Sequence, residues 1–223
     1  SRGLSLEAGV SQPVGSGTLD LSVNWLPMEE VWKNPYEEEG RKSETAADTC
    51  GMRVKWQPSG GGPWELGYAL QRTSVERDAI GDLESDLKRS GWTHELDLKR
   101  CFPLQSGLSL TPVLGAGYGD KDGESNRYWE GKAELMLQGV RPPWIFVGLI
   151  SGAYQHYCKA HPLYGDTRRE AIITLFAQVI RRDLLGRENL FASLGGGYLR
   201  SDANIDFFDS QSFISLATVG VDF

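Results

Sequence analysis

Three histidines, His94, His156 and His161, and the thiol of Cys158 are the side chains of this 223-residue chain best suited to nucleophilic or metal chemistry. Acyl hydrolysis needs a histidine within hydrogen-bond reach of a serine, so that base and nucleophile work as a pair. Neither an Asp-His-x-Ser-Asn-Gly nor a His-x-Ser arrangement occurs. His156, Cys158 and His161 fall in what reads as one loop, at a spacing that matches no standard metal site. Gly195, Gly196 and Gly197 sit within an apolar stretch, where glycine marks close packing or a bend and not a phosphate loop. The expectation is a chain with no catalytic residues, no metal and no cofactor. A different constellation is charged. Arg53, Lys55, Glu65, Glu95, Asp97, Lys99, Glu130, Lys132 and Glu134 interleave both signs, and each occupies the same parity of an alternating segment.

Those segments are the elements that must hold the charges in place. Working back from the carboxyl end they are 212–223, 189–201, 169–182, 143–156, 126–138, 107–118, 91–102, 63–73, 49–57, 18–27 and 3–12. A strand has a side-chain period of two. In 91–102, Trp92, His94, Leu96, Leu98, Arg100 and Phe102 oppose Thr93, Glu95, Asp97, Lys99 and Cys101. In 126–138, Trp129, Gly131, Ala133, Leu135 and Leu137 oppose Tyr128, Glu130, Lys132, Glu134, Met136 and Gln138.

Bulk composition narrows the class. The net charge of −7 argues against nucleic acid, whose phosphates need a basic surface. Mean hydropathy is −0.35 and no run of about eighteen apolar residues occurs, which excludes a membrane-spanning helix. It does not exclude membrane-spanning strands, whose signal is weak per segment. Three cysteines, Cys50, Cys101 and Cys158, are too few for a disulfide scaffold. The chain starts at Ser1 without a signal peptide, which reads as a mature form or part of something longer. No low-complexity linker divides it, so residues 1–223 read as one domain.

The connections alternate in length. Short ones fall at 12–17, 58–63, 103–106, 139–143 and 183–188, and longer polar ones at 27–48, 74–90, 119–125, 157–168 and 202–211. Short periplasmic turns and long extracellular loops are the asymmetry of a transmembrane β-barrel. In that orientation Trp25, Trp92, Tyr118, Trp129, Tyr154 and Tyr198 gather near the outer ends of the strands. Trp56, Trp64, Phe102, Trp144 and Phe223 gather near the periplasmic ends. Trp25, Trp56, Trp64, Trp92, Trp129, Trp144 and Phe223 are therefore expected at the two headgroup levels.

The closing stretch 213–223 alternates Phe213, Ser215, Ala217, Val219, Val221 and Phe223 and ends on an aromatic carboxyl terminus. It resembles the terminal strand, or β-signal, of Gram-negative outer-membrane β-barrels. The preceding text, Leu199 to Asp209, is similar to the last hairpin of the barrels of surface-lipoprotein assembly modifiers and exopolysaccharide exporters. Those proteins carry amino-terminal helical repeats that this chain lacks, and no function is carried over. The resemblance implies an outer-membrane location, contact with lipid bilayer and lipopolysaccharide, and insertion by assembly machinery that reads the last strand. The expected fold is all-β: a closed antiparallel transmembrane barrel of 10–12 strands. Twelve is favoured because bacterial barrels have even counts. The twelfth strand would precede Ser1 or lie within 27–48.

The expected interior is uneven. Its amino-terminal two-thirds holds the interleaved charges together with Glu7 and Asp20. They read either as neutralising cross-strand pairs that fill a narrow barrel or as a polar conduit with an acidic excess. In the carboxyl-terminal third, Ile145, Val147, Leu149, Ile172, Phe176, Ile180, Leu199, Ile214 and Leu216 take the inward parity. Strands apolar on both faces need cover on both. An internal plug, an amphipathic ligand, or a partner protein would each supply it. The acidic loop 27–48 reads as solvated surface. Three functions follow: a channel for small or amphipathic solutes, a structural barrel within an envelope complex with protein partners, and a lipid-modifying enzyme.

Overall fold

The computed structural model describes residues 6–33, 42–59, 62–75, 85–104, 107–184 and 186–221. For residues 6–7, 27–33, 42–46 and 188 it describes the backbone alone. Among the described residues the chain forms twelve strands in one antiparallel sheet. They are β1 (Leu6–Val14), β2 (Gly17–Lys33), β3 (Lys42–Pro58), β4 (Trp64–Val75), β5 (Gly91–Arg100) and β6 (Phe102–Pro103). β7 (Leu108–Lys121), β8 (Tyr128–Arg141), β9 (Trp144–Ala160), β10 (Thr167–Leu184), β11 (Arg187–Ala203) and β12 (Ser210–Val221) follow. Sequence neighbours pair in order from β1 to β12, and β6 pairs only with β7.

Eleven long members therefore carry the meander, one for each alternating segment. The twelfth strand is neither of those expected. β6 is two residues that resume the line of β5 after a break at Cys101 and pair Phe102 with Leu110 and Pro103 with Ser109. The described part of the stretch 27–48 is no separate strand: it extends β2 and β3 as a ribbon from Pro27 opposite Asp48 to Lys33 opposite Lys42. Residues 34–41 lie outside the described residues. Any strand preceding Ser1, and the terminal Phe223, also lie outside them.

Turn chemistry explains the tight ends. Gly15 takes φ +59 in the two-residue turn that links Val14 to Gly17, a backbone geometry that suits the twist of a hairpin. Asp183 adopts φ 56 where the β10–β11 register shifts between Arg182 and Leu184, a β-bulge.

Contacts divide the chain into two compact units, neither one contiguous. The first comprises Ser1–Asp97, Ala116–Glu130 and His156–Arg168. The second comprises Leu98–Gly115, Gly131–Gln155 and Arg169–Phe223.

The sheet has almost no conventional core. The buried apolar residues among those described are Ala69, Leu87, Tyr157 and Ile205, and no large side chain is fully buried. Large apolar side chains are instead exposed on every long strand, from Val10 in β1 through Leu96, Leu135 and Leu175 to Val219 in β12. A soluble domain of this length buries roughly two-thirds of its unfolded surface, most of it apolar. Here the alternation survives with its burial inverted. In β8 the apolar residues Trp129, Ala133, Leu135 and Leu137 are exposed, while Tyr128, Glu130, Lys132 and Glu134 are part-covered.

Candidate functional site

Cross-strand register defines the two faces of the first unit. Val10, Leu21 and Val54 lie in line, as do Ala8, Val23, Met52 and Leu70. Leu19, Trp56 and Leu66 make a third row. The opposite face aligns Ser11, Asp20, Lys55 and Gly67, then Gly9, Ser22, Arg53 and Ala69. Arg53 and Lys55 thus stand on one face with Asp20 directly across from Lys55. Lys55 Nζ lies 4.0 Å from Glu65 Oε1, a part-exposed ion pair worth little stability in itself. Ser11, Asp20, Ser22, Arg53 and Lys55, with Gly9, Val10 and Leu21, line a mixed hollow of about 300 Å3.

Small residues on this face let charged side chains lie flat. Asp97 rests over Gly67, its Cβ 3.8 Å from where a glycine Cβ would stand. Glu130 covers Gly117 in the same way at 3.4 Å. Lys121 Nζ donates to Thr93 Oγ1 at 2.9 Å. Glu95 shares the parity of Thr93 and Asp97 on β5 and is likewise part-covered. In the second unit, Lys99, Lys132 and Glu134 keep the part-covered parity of β5 and β8.

The predicted interfacial aromatics Trp25, Trp56, Trp64, Trp92, Trp129 and Trp144 are all exposed on the apolar face. Toward the long-connection end of the first unit, rings form a chain of contacts. Tyr68 and His94 centroids are 6.3 Å apart, His94 and Tyr118 6.4 Å, Tyr118 and Trp129 4.4 Å. Arg72 stands 5.4 Å from the Trp92 ring. The Nδ1 of His94 meets the Tyr68 hydroxyl at 2.8 Å, so its partner is a phenol within this aromatic band. His156 lies in β9 and is exposed, not in a loop as its sequence position suggested. His161 does occupy the following turn, where it is buried. Among the described residues no group of three or more His, Cys, Asp or Glu side chains could hold a metal ion. Cys50, Cys101 and Cys158 are free and exposed.

Sequence reading missed a loop knot at the long-connection end of the first unit. Lys159 Nζ, near the end of β9, reaches Asp86 Oδ2 at 2.8 Å and Glu124 Oε2 at 2.9 Å, tying the β4–β5 and β7–β8 connections to that strand end. Asn126 Nδ2 donates to Leu87 O at 2.7 Å, and Ser125 Oγ to Ala160 O at 3.0 Å. Arg168 stacks 3.6 Å from the Tyr157 ring centroid, and Tyr157 packs on Tyr128. Burial together with the Arg168 charge holds the His161 imidazolium below the usual histidine range. These residues carry no period and no motif, so nothing in the sequence flags them.

In the second unit the charged face gives way to an apolar one. Phe176, Gly197 and Ile214 align, and beside them Gln178, Gly195 and Leu216. Ile172 faces Ser201, and Thr174 faces Leu199 and through it Ser212. The other face aligns Leu175, Tyr198 and Phe213, then Val179, Leu194 and Ala217. Tyr198 and Phe213 touch with centroids 4.9 Å apart. The register assigns Ile214 and Leu216 to the face opposite Phe213, as the alternation implied, so both faces of β10–β12 carry apolar side chains, the second interspersed with Thr174, Gln178, Ser193, Ser201 and Ser212.

No curated protein matches the chain. One family spans it from end to end, residues 1–223, and its description names no activity. This all-β chain, with its antiparallel meander, belongs to the family described as "Protein of unknown function (DUF2860)".

Proposed function

We propose that the sheet closes into a transmembrane β-barrel of a Gram-negative outer membrane and that its charged face lines a channel for small or amphipathic solutes. One observation carries the reading: the apolar face is the more exposed and the charged face the more covered. Leu135, Ile150 and Leu175 are 41%, 58% and 41% exposed. In water each such side chain would forgo about half of the roughly 1.5–3 kcal/mol that full burial supplies. Against hydrocarbon that penalty vanishes, and the interleaved charges find water or each other inside. β9, β10 and β11 have 17, 18 and 17 residues, more than the roughly 9–11 a tilted strand needs to cross. The surplus supports ends that stand clear of the membrane, where the knot around Lys159 lies.

An antiparallel path of eleven members gives its first and last strands the same direction. Closure then needs either a parallel seam or one further strand to restore an even count. The exposure of Ser210 to Val219 on both sides is that of an edge awaiting such a neighbour.

Reconstituted protein is expected to pass hydrophilic and amphipathic solutes out of liposomes and to show unit conductance in planar bilayers. Absence of both would sink the channel. The doubly apolar β10–β12 supports a second reading, a structural barrel that docks an envelope partner; that reading requires a protein that co-purifies in mild detergent. A lipid-modifying enzyme is the third. It stands only if His94→Ala or His156→Ala abolishes lipid turnover.

A further inference from the structure

The apolar face of the second unit carries a groove of about 530 Å3. Its floor is short of side chains, with Gly148 in β9, Ala177 in β10 and Gly196 in β11, the last two directly opposite each other. Leu137, Ile150 and Leu175 wall it. The volume falls within the range of small-molecule sites, yet apart from the Tyr198 hydroxyl the lining side chains offer no polar group. Whatever lies there presents hydrocarbon.

The nature of the occupant is set a short way along the same two strands. Trp144 precedes Gly148 by four residues and Arg181 follows Ala177 by four, so each keeps its face. The separation along the strand is about 13 Å. Arg181 Cζ stands 5.3 Å from the Trp144 ring centroid, and both residues are exposed. The Arg182 N–H donates to Pro143 O at 2.8 Å, which locks the two strand ends beside one another. Arg141, at the end of neighbouring β8, is exposed as well. Asp183 lies in the bulge beyond Arg181 and is the nearest acid along β10. A guanidinium resting on an indole is a pre-positioned cation, and its planar fork fits phosphate oxygens. A hydrocarbon groove with such a cation at one end complements an anionic amphiphile.

We infer that the groove and the Arg181–Trp144 pair bind one anionic phospholipid, its phosphate on Arg181 and an acyl chain along Gly148, Ala177 and Gly196. The inference rests on the membrane reading proposed above. The test is reconstitution into phosphatidylcholine vesicles containing a minority of phosphatidylglycerol, re-extraction in mild detergent, and native mass spectrometry of the retained lipid. The wild-type protein retains phosphatidylglycerol in preference to phosphatidylcholine. Arg181→Ala lowers that retention about fivefold, the weight of one basic residue at a lipid surface, and Arg181→Lys keeps part of it. Gly148→Leu fills the groove away from the charge and lowers retention of both lipids; a Cβ there comes no closer than 3.9 Å to the atoms around it. Excess glycerol 3-phosphate leaves retention unchanged, because a headgroup without a tail does not occupy the groove. Equal retention of both lipids by the wild type, or undiminished phosphatidylglycerol on Arg181→Ala, overturns the site. A protein that never enters the vesicles overturns the membrane reading instead.

Discussion

β2–β4 and β10–β12 share a two-residue period, antiparallel pairing and one exposed apolar face, yet on the other the first carries charges where the second carries large apolar side chains among neutral polar ones. Across β2–β4 the second face carries Asp20, Arg53, Lys55 and Glu65. Across β10–β12 it carries Ile172, Phe176, Leu199, Ile214 and Leu216. The common face reflects a common surrounding. The differing face is free of that constraint and is where selection for a task acts. A chain that needed only to sit in lipid would have no reason to separate its charges from its second apolar wall.

The comparison breaks most readily on its shared face. Met52→Arg in β3 and Leu175→Arg in β10 should each cost about 2–4 kcal/mol, the toll for a cation near the bilayer midplane. Urea unfolding in vesicles measures this, and a neutral Met52→Arg would mean that the two regions do not share a surrounding. A smaller effect separates the other faces. Ile214→Asn should cost less than about 1 kcal/mol if water wets that wall, while slowing flux of an amphipathic dye relative to a sugar of similar size. A loss nearer 2–3 kcal/mol would mark a dry wall and favour a covering partner. On the charged side, Arg53→Glu with Lys55→Glu should raise cation over anion permeability about two- to threefold, read from reversal potentials in a salt gradient. An unchanged ratio would place these charges away from the ion path.

The smallest effect concerns pH. Burial and Arg168 hold the imidazolium of His161 below its ordinary value of 6.5. The unfolded loop therefore binds the proton more tightly than the folded one. Its contribution is complete above pH 6.5 and is lost as pH falls through the lower folded value. Amide protection factors at Leu87 and Asn126, corrected for the intrinsic exchange rate at each pH, should be lower at pH 5.5 than at pH 7.5, and His161→Asn should flatten that difference.

Much of the sheet is written in the period of two. All eleven alternating segments became strands, and the parity that put Arg53, Lys55 and Glu65 together also put Ile214 and Leu216 opposite Phe213. The outer parts of β2 and β3 escaped notice because Glu29, Glu30 and Glu44 interrupt any apolar stripe. β6 escaped because two residues are too few to show a period. The knot around Lys159 escaped for another reason. It joins residues far apart in sequence, Lys159 to the carboxylates of Asp86 and Glu124 and Asn126 to the Leu87 carbonyl, and such pairings leave no periodic mark in the sequence.

The ribbon beyond Trp25 has a consequence of its own. Among the described residues β4 pairs with β3 as far as Ala47 and β1 with β2 as far as Trp25, so from Glu29 opposite Ala46 outward the described pairing is that of β2 with β3. From Pro27 opposite Asp48 to Lys33 opposite Lys42 the register continues for roughly 20 Å at strand rise. A lone pair of strands is marginally stable in water. On a cell surface such an arm would be the first part met by an antibody or a protease, and the part whose loss the sheet would feel least. On the proposed reading it could change sequence, accept an inserted segment or be trimmed while the charged face stays as it is, so the exposed arm and the proposed conduit could evolve separately in one chain.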